Sequence, residues 1–216
     1  GVYKGKERVN LVLLGQSGPG HAGETLTDTI IFVSIAPQGT PLVAIPRDLW
    51  YQPWQTKINS LYYYADQKGD GFGKTKEIFT QILGQRIDYL VMLDFGAFKD
   101  LVDLVGGVDV QVERSFDDFL YPLAGKENDL CDGDPQFACR YEHLHFEAGR
   151  QHFNGDQALK FVRSRYAEGE EGTDLARAAR QQKIISALKE KIASPAVYLS
   201  PQKIIGLRKI FEKRIK

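Results

Sequence analysis

An α/β fold is what this sequence predicts: a single α/β/α layered domain built on a central mixed β-sheet. Three observations carry that expectation. Short runs rich in β-branched residues, at 9–14, 28–36, 41–45, 89–94 and 108–112, are bounded by Gly, Pro or polar turns and read as strands. The stretches 74–84 and 97–107 carry apolar residues at helical spacing and stop at glycine, as helices do. The strands are nearly continuous in apolar residues, which suits a sheet covered by helices on both faces.

The remaining elements follow in order. Asn154 can cap a short helix, DQALKF, that leads into VRSR. A longer helix starts near Thr173 or Asp174, either of which can cap the first turn, and runs to about Ile192. From Lys189 to Lys216 the chain is basic, with Ile204, Leu207, Phe211 and Ile215 at helical spacing, so the segment reads as an amphipathic helix packed on the domain. Approach to an anionic surface is its other use. There are no internal repeats and no low-complexity tract.

Composition bounds the function. The 216 residues are 43% hydrophobic and 26% charged, enough for one substantial core. With 28 basic and 28 acidic residues the formal charge is zero, so no global field favours nucleic acid and any phosphate binding must be local. No run of about 18 apolar residues occurs. The opening GVYKGKERVN has no initiator Met or signal-peptide core and reads as a cut. The chain is then expected to divide into residues 1–8, a main domain over 9–192 and the basic helix over 193–216. Cys131 and Cys139 enclose a polar loop whose closure as a disulfide would stabilise by about 2.5 kcal/mol and imply an oxidising, exported setting. Zinc shared with His143 and His145, or two free thiols, are the alternatives.

Chemistry concentrates at 161–182, where Arg163, Arg165, Arg177 and Arg180 are interleaved with Glu168, Glu170, Glu171 and Asp174. Exposed ion pairs would contribute only about 0–1 kcal/mol each and would not require Arg over Lys. Stepping back by fours along the face defined by Ile185, Leu188 and Ile192 reaches Gln181 and Arg177, which places both on the inward stripe and turns Arg180 toward the rim. An extended Arg163 to Arg165 would point both guanidiniums to one side. Guanidinium forks match phosphate oxygens, and the helix N-terminus near Thr173 and Asp174 adds oriented amides. A solvated ion-pair lattice with the neighbouring glutamates is the alternative. Asp28 stands at the mouth of the second strand, and Arg47 and Asp48 stand just past the third, where α/β proteins place ligands. A carboxylate beside arginines suits a Mg²⁺ that bridges phosphate oxygens. GQSGPGHAG and KGDGFGKT do not satisfy the Walker pattern, the calcium-loop echo at Asp66 to Glu77 places Lys68 in a ligand position, and the histidines show no catalytic spacing.

In that order, NLVLLG (10–15), LTDTIIFVSI (26–35), VAIPRDL (43–49), KINSLY (57–62), IDYLVMLDFGAFKDLVDLVGGVDV (87–110), FNGDQALKFVRSR (153–165) and DLARAARQQ (174–182) make the chain resemble the LytR-CpsA-Psr family of bacterial cell-envelope proteins. The resemblance implies a phosphotransferase that moves a glycopolymer from a polyprenyl diphosphate carrier onto peptidoglycan. It also implies Mg²⁺, a lipid-tail pocket in an α/β/α domain, and an N-terminal anchor holding the domain outside the cytoplasmic membrane, so that residues 1–8 are expected to be a membrane-proximal remnant and 9–192 the catalytic domain. By the same resemblance, Arg47, Arg163, Arg165, Arg177 and Gln181 serve the diphosphate chemistry, Arg180 and Asp174 contact substrate, and Asp28 holds the metal. One departure stands out: the family's Gly-x-Asp acid after the first strand is replaced by Gln16 and Ser17, so Glu24, or waters and substrate oxygens, must complete the metal shell. A non-catalytic binder of polyprenyl phosphates or anionic glycans, and a pyrophosphatase acting on the same lipid, are the rival expectations.

Overall fold

The computed structural model describes residues 8–18, 25–37 and 39–214, with side chains through residue 210. The expected membrane-proximal remnant falls almost wholly outside the described residues, as do Glu24 and Ile215. The described chain divides into two compact units, one formed by the residues up to Gly96 together with those from Phe211 onward, the other running from Ala97 to Ile210.

The first unit is built on a four-stranded sheet. Strands β1 (Val9–Gln16), β2 (Thr27–Ile35) and β3 (Leu42–Ala44) are followed by a two-residue pair, β4 (Trp50–Tyr51) and β5 (Thr56–Lys57). Helices α1 (Leu61–Gln67) and α2 (Gly71–Leu83) lead to β6 (Tyr89–Asp94). The sheet order is β3-β2-β1-β6, with β2 antiparallel to both neighbours and β6 parallel to β1, so the sheet is mixed, as expected. Its core gathers Val12, Leu14, Ile30, Ile58, Leu61, Phe79 and Met92. Helix α2 starts because Asp70 accepts from the Gly73 amide at 2.8 Å, and it ends at Gly84, whose φ of +61° favours a residue without Cβ. Asp70 is therefore a cap, which accounts for the calcium-like spacing around it.

This topology decides where the polar strand ends lie. Since β2 runs against β1, β3 and β6, its beginning sits on the same edge as their ends. Gln16, Asp28 and Asp94 consequently share one edge of the sheet, and the chain leaves β3 toward Arg47 along that edge.

Helix α3 (Phe95–Val105) opens at the division between the units. In the second unit, β7 (Val108–Val112) pairs antiparallel with β10 (Gly149–Phe153), and β8 (Phe116–Pro122) with β9 (Tyr141–Phe146). The expected strand 108–112 thus belongs to a separate two-stranded ladder. Helices α4 (Gly155–Arg163), α5 (Asp174–Ile192), α6 (Pro195–Tyr198) and, as far as Ile210, α7 (Pro201–Arg214) complete the unit. Its core is aromatic at the centre: Phe161 lies 5.1 Å from Phe146, 5.2 Å from Phe153 and 6.0 Å from Phe116, ring to ring. Burying each such side chain stabilises by about 1.5–3 kcal/mol.

Two expectations are settled here. Cys131 and Cys139 are joined in a disulfide with their Cα atoms 5.5 Å apart, so neither cysteine holds zinc. The two histidines turn to the facing strand, where His143 and His145 both reach Asp117 Oδ1, at 2.7 and 2.9 Å. Helix α7 packs Leu207 and Ile210 against the core of this unit. Ile204 is exposed, so the packed stripe runs through 207 and 210 and not through 204 as expected; the side chain of Phe211 lies outside the described residues.

Candidate functional site

At the sheet edge of the first unit, Asp28 is thrown out of the ladder by a bulge. Gly15 faces Thr29 and Gln16 faces Thr27, leaving Asp28 without a partner position and 41% exposed. Its Oδ1 accepts from Arg47 Nη1 at 2.6 Å, while Arg47 Nε lies 3.5 Å from Asp48, which also accepts from Lys57 at 2.6 Å. The Lys57 hydrogen bond is the main cause holding the Asp48 carboxyl below its ordinary range. The backbone carbonyl of Arg47 accepts from the Asn59 amide, and the carbonyl of Asn59 accepts from Thr27 Oγ1, so the Arg47 and Asp28 positions are tied together through Asn59.

The residues at this edge suit a hard cation. Ser17 Oγ is buried with no hydrogen-bond partner among the described residues. A buried hydroxyl left without a partner costs free energy, and a cation or its water would complete it. Gly18 has φ +81°, and a Cβ there would come within 2.9 Å of Asp94 Cβ, so the chain after Ser17 lies directly against Asp94. Asp28, Ser17 and Asp94 are all oxygen donors, as Mg²⁺ prefers.

In the second unit the arginines are arranged around a loop between α4 and α5. Helix α4 begins with a reciprocal capping box, in which Asn154 accepts from the Gln157 amide and Gln157 accepts from the Asn154 amide. The chain leaves the helix at Ser164, with φ −51° and ψ 127°. Ser164 is buried, its hydroxyl donating to Asp118 Oδ2 at 2.7 Å, whereas Arg163 on one side is half-buried and Arg165 on the other is exposed. Arg163 Nη1 donates to the Tyr121 hydroxyl at 2.9 Å, and its guanidinium lies 5.3 Å from the Tyr121 ring centre. Burial pushes the Tyr121 hydroxyl above its ordinary value.

Helix α5 starts as expected, with Thr173 Oγ1 accepting from the Ala176 amide; Asp174 is the first helical residue and not the cap. The inward stripe is displaced by one residue from the expected one. Arg180, Ile184, Ala187 and Leu188 are the buried positions, while Ile185, Arg177 and Gln181 lie on the shoulder. Arg180, expected toward the rim, is therefore only 3% exposed. Its Nε donates to the Phe161 carbonyl, Nη1 to the carbonyl and carboxylate of Glu171, and Nη2 to the Ser164 carbonyl, at 2.8–3.0 Å. Contact of Arg180 with substrate gives way to a role inside the protein. Burial draws the guanidinium pKa down, and the Glu171 carboxylate opposes that shift. Arg177 Nη1 pairs with Asp174 at 2.7 Å, with the arginine side chain 20% exposed and the aspartate 87%.

The ion-pair alternative is met in part: Glu171 takes Arg180, Asp174 takes Arg177, and Glu170 pairs with Arg114. Two residues that the sequence did not single out join this site, Tyr121 and Asp118. The fully buried Asp118 accepts from Ser164, Arg165, Tyr166 and Leu120. The available signal was the alternation of β8, in which Phe116 and Asp118 fall on the same inward face.

The chain is 31% identical over 176 residues to the polyisoprenyl-teichoic acid–peptidoglycan teichoic acid transferase TagV of Bacillus subtilis, a match covering 78% of this chain and 39% of that protein. It is 28% identical over 194 residues to the corresponding transferase TagU of Bacillus cereus, covering 87% of this chain and 54% of the relative. The chain thus spans about half the length of the curated relatives it matches. The crystal structure of Bacillus subtilis TagV superposes with a TM-score of 0.64 at 27% identity, over 98% of this chain and 74% of that one. A structure from Listeria monocytogenes titled as the putative transcriptional factor Lmo1026 superposes with a TM-score of 0.58 at 26% identity, over 88% and 64%. The model of the LytR_cpsA_psr family matches residues 2–211, nearly the whole length, and the chain belongs to that family.

Proposed function

We propose that this chain is a phosphotransferase that moves a glycopolymer from a polyprenyl diphosphate carrier onto cell-wall peptidoglycan. The observation that carries the reading is the arginine loop: Ser164 is drawn inward, and Arg163 and Arg165 flank it on a backbone held by buried hydrogen bonds. The names of the TagU and TagV relatives supply the substrate class.

In this reading an acceptor sugar hydroxyl attacks the phosphorus that bears the glycopolymer. A new P–O bond forms, the phosphoanhydride P–O bond breaks, polyprenyl phosphate leaves with the bonding pair, and the hydroxyl proton passes to a base. Fixed guanidiniums aimed at the phosphate oxygens oppose the charge that builds up as the anhydride breaks. Arg163, Arg165, Arg177 and Gln181 take this role by their place in the loop and on the α5 shoulder; Arg47 takes it by the family resemblance. Asp28 and Ser17, with Asp94 on the same sheet edge, would hold Mg²⁺ in place of the missing Gly-x-Asp acid. Bound there, Mg²⁺ would supply screening of phosphate oxygens. We further place the catalytic domain on the extracytoplasmic side of the cell membrane, anchored by a segment outside this sequence; the disulfide supports an oxidising setting.

The test is mass spectrometry of the protein incubated with a polyprenyl diphosphate-linked glycan, Mg²⁺ and an acceptor glycan, following released polyprenyl phosphate. Wild-type release is expected to fall about 10²–10³-fold in Arg163→Ala and Arg165→Ala. Retention of lipid without release, lost in the variants, would favour the binding module, and release that ignores the acceptor would favour the pyrophosphatase. Equal behaviour of wild type and variants would remove the arginines from the chemistry.

A further inference from the structure

The segment carrying Arg163 and Arg165 belongs to no continuous ladder, yet two buried charges grip it from opposite chemical sides. Asp118, with no exposed surface, uses Oδ2 to accept from Ser164 Oγ at 2.7 Å and from the Arg165 and Tyr166 amides at 3.1 and 3.2 Å. Its Oδ1 accepts from the Leu120 amide at 3.0 Å, which secures the carboxylate to its own strand. Arg180 collects the carbonyls of Phe161, Ser164 and Glu171. An ionised carboxylate only accepts and a guanidinium only donates, so one group satisfies the amides of the loop and the other its carbonyls. Ser164 is the point held by both.

Supporting contacts point the same way. Ala167 bridges back to Asp118, and the Glu168 amide donates to the Asp117 carbonyl at 3.1 Å. A Cβ on Gly172 would collide with the Ala167 carbonyl, so the loop closes on itself only with glycine there. Buried charge pairs are a costly way to gain stability compared with apolar packing, and their best-attested use is to select one conformation.

We propose that Asp118 and Arg180 are positioning residues: together they fix the backbone of residues 163–166 so that the Arg163 and Arg165 side chains are held ready for a diphosphate. The inference rests on the phosphotransferase reading. The experiment compares wild type with Asp118→Asn, Arg180→Lys and Ser164→Ala by hydrogen exchange of the Arg165 and Tyr166 amides and by kcat and KM with the polyprenyl diphosphate donor. The Asp118→Asn substitution keeps the size of the side chain but brings an NH₂ group among amide donors.

The expected result for Asp118→Asn is exchange at both amides faster by about 10-fold or more, with kcat lowered about 100-fold and KM within about 3-fold of wild type. Ser164→Ala, which removes one donor of the four, shifts both readouts in the same direction by less and decides the matter if Asp118→Asn does not fold. Variants that are less stable, yet turn over at the wild-type kcat below their melting temperature, would overturn the positioning role alone. An inactive wild type would overturn the functional reading and this inference with it.

Discussion

A one-residue offset separates what could be read from what is found at the arginines. Counting back from Ile185 placed Arg177 on the inward face, but the helix buries Ile184, and the same count then reaches Arg180. Apolar spacing alone could not choose between two adjacent isoleucines, because a helix turns by only about 100° between them. The two arginines should differ accordingly. Arg180→Ala would leave the partly buried Glu171 carboxylate and three carbonyls without their donor, a loss of about 3 kcal/mol in urea denaturation. Arg177→Ala removes an ion pair whose aspartate is open to solvent, so its stability cost should stay below about 1 kcal/mol while turnover falls. Similar stability losses in the two variants would contradict the assignment of one to structure and the other to chemistry. The placement of Asp28 and Arg47 at one edge of the sheet was legible from the strand boundaries; Asp118 was not, because its partners include backbone amides that no side-chain pattern announces.

Elements with local punctuation were readable, and elements defined by distant partners were not. The Asn154 cap, the Thr173 cap and the glycine after α2 each mark a helix end in the residues themselves. By contrast, β8 and β9 read as FDDFLYP and YEHLHF, with acidic residues on both faces of β8, and an 18-residue stapled connection hides their pairing. The strand 108–112 was found but its ladder was not, since its partner β10 lies beyond that hairpin. Helix α5 is joined to that ladder by Lys191, whose Nζ lies 2.9 Å from Asp109 Oδ2, while His152 Nδ1 reaches Asp109 Oδ1 at 2.9 Å. The Lys191 hydrogen bond first, and His152 second, pull the Asp109 carboxyl from 3.8 to about 2. A carboxyl depressed in the folded state contributes stability that is complete above its unfolded value and is lost as pH falls toward 2. An NMR titration of Asp109 should therefore show its midpoint near 2, rising toward the ordinary value in Lys191→Met. A wild-type midpoint at the ordinary value would mean that α5 and β7 are not tied through this pair in solution.

For the whole molecule, charge balance separates the two activities that the names of structural relatives suggest. One similar structure is titled a putative transcriptional factor, whereas the similar TagV protein is a teichoic acid transferase. A duplex binder gains affinity by neutralising several phosphates at once, which calls for a basic face, and the logarithm of its binding constant falls steeply with the logarithm of salt. Here 28 basic residues are matched by 28 acidic ones, and the acids are placed on the cations: Glu171 on Arg180, Asp174 on Arg177, Asp28 on Arg47 and Glu113 on Lys183. Such pairing leaves no run of uncompensated cations among these residues to follow a polyanion over a turn of helix. Random duplex DNA at about 50 mM salt should accordingly give no mobility shift at protein concentrations up to about 100 μM, the weak end of the usual non-specific range of about 10⁻⁴–10⁻⁶ M. Inorganic pyrophosphate with Mg²⁺ should raise the melting temperature of the same preparation, because a ligand bound only by the folded state stabilises it. A shift of DNA that weakens steeply with salt, together with indifference to pyrophosphate, would reverse the choice and make the arginine loop part of a nucleic-acid surface.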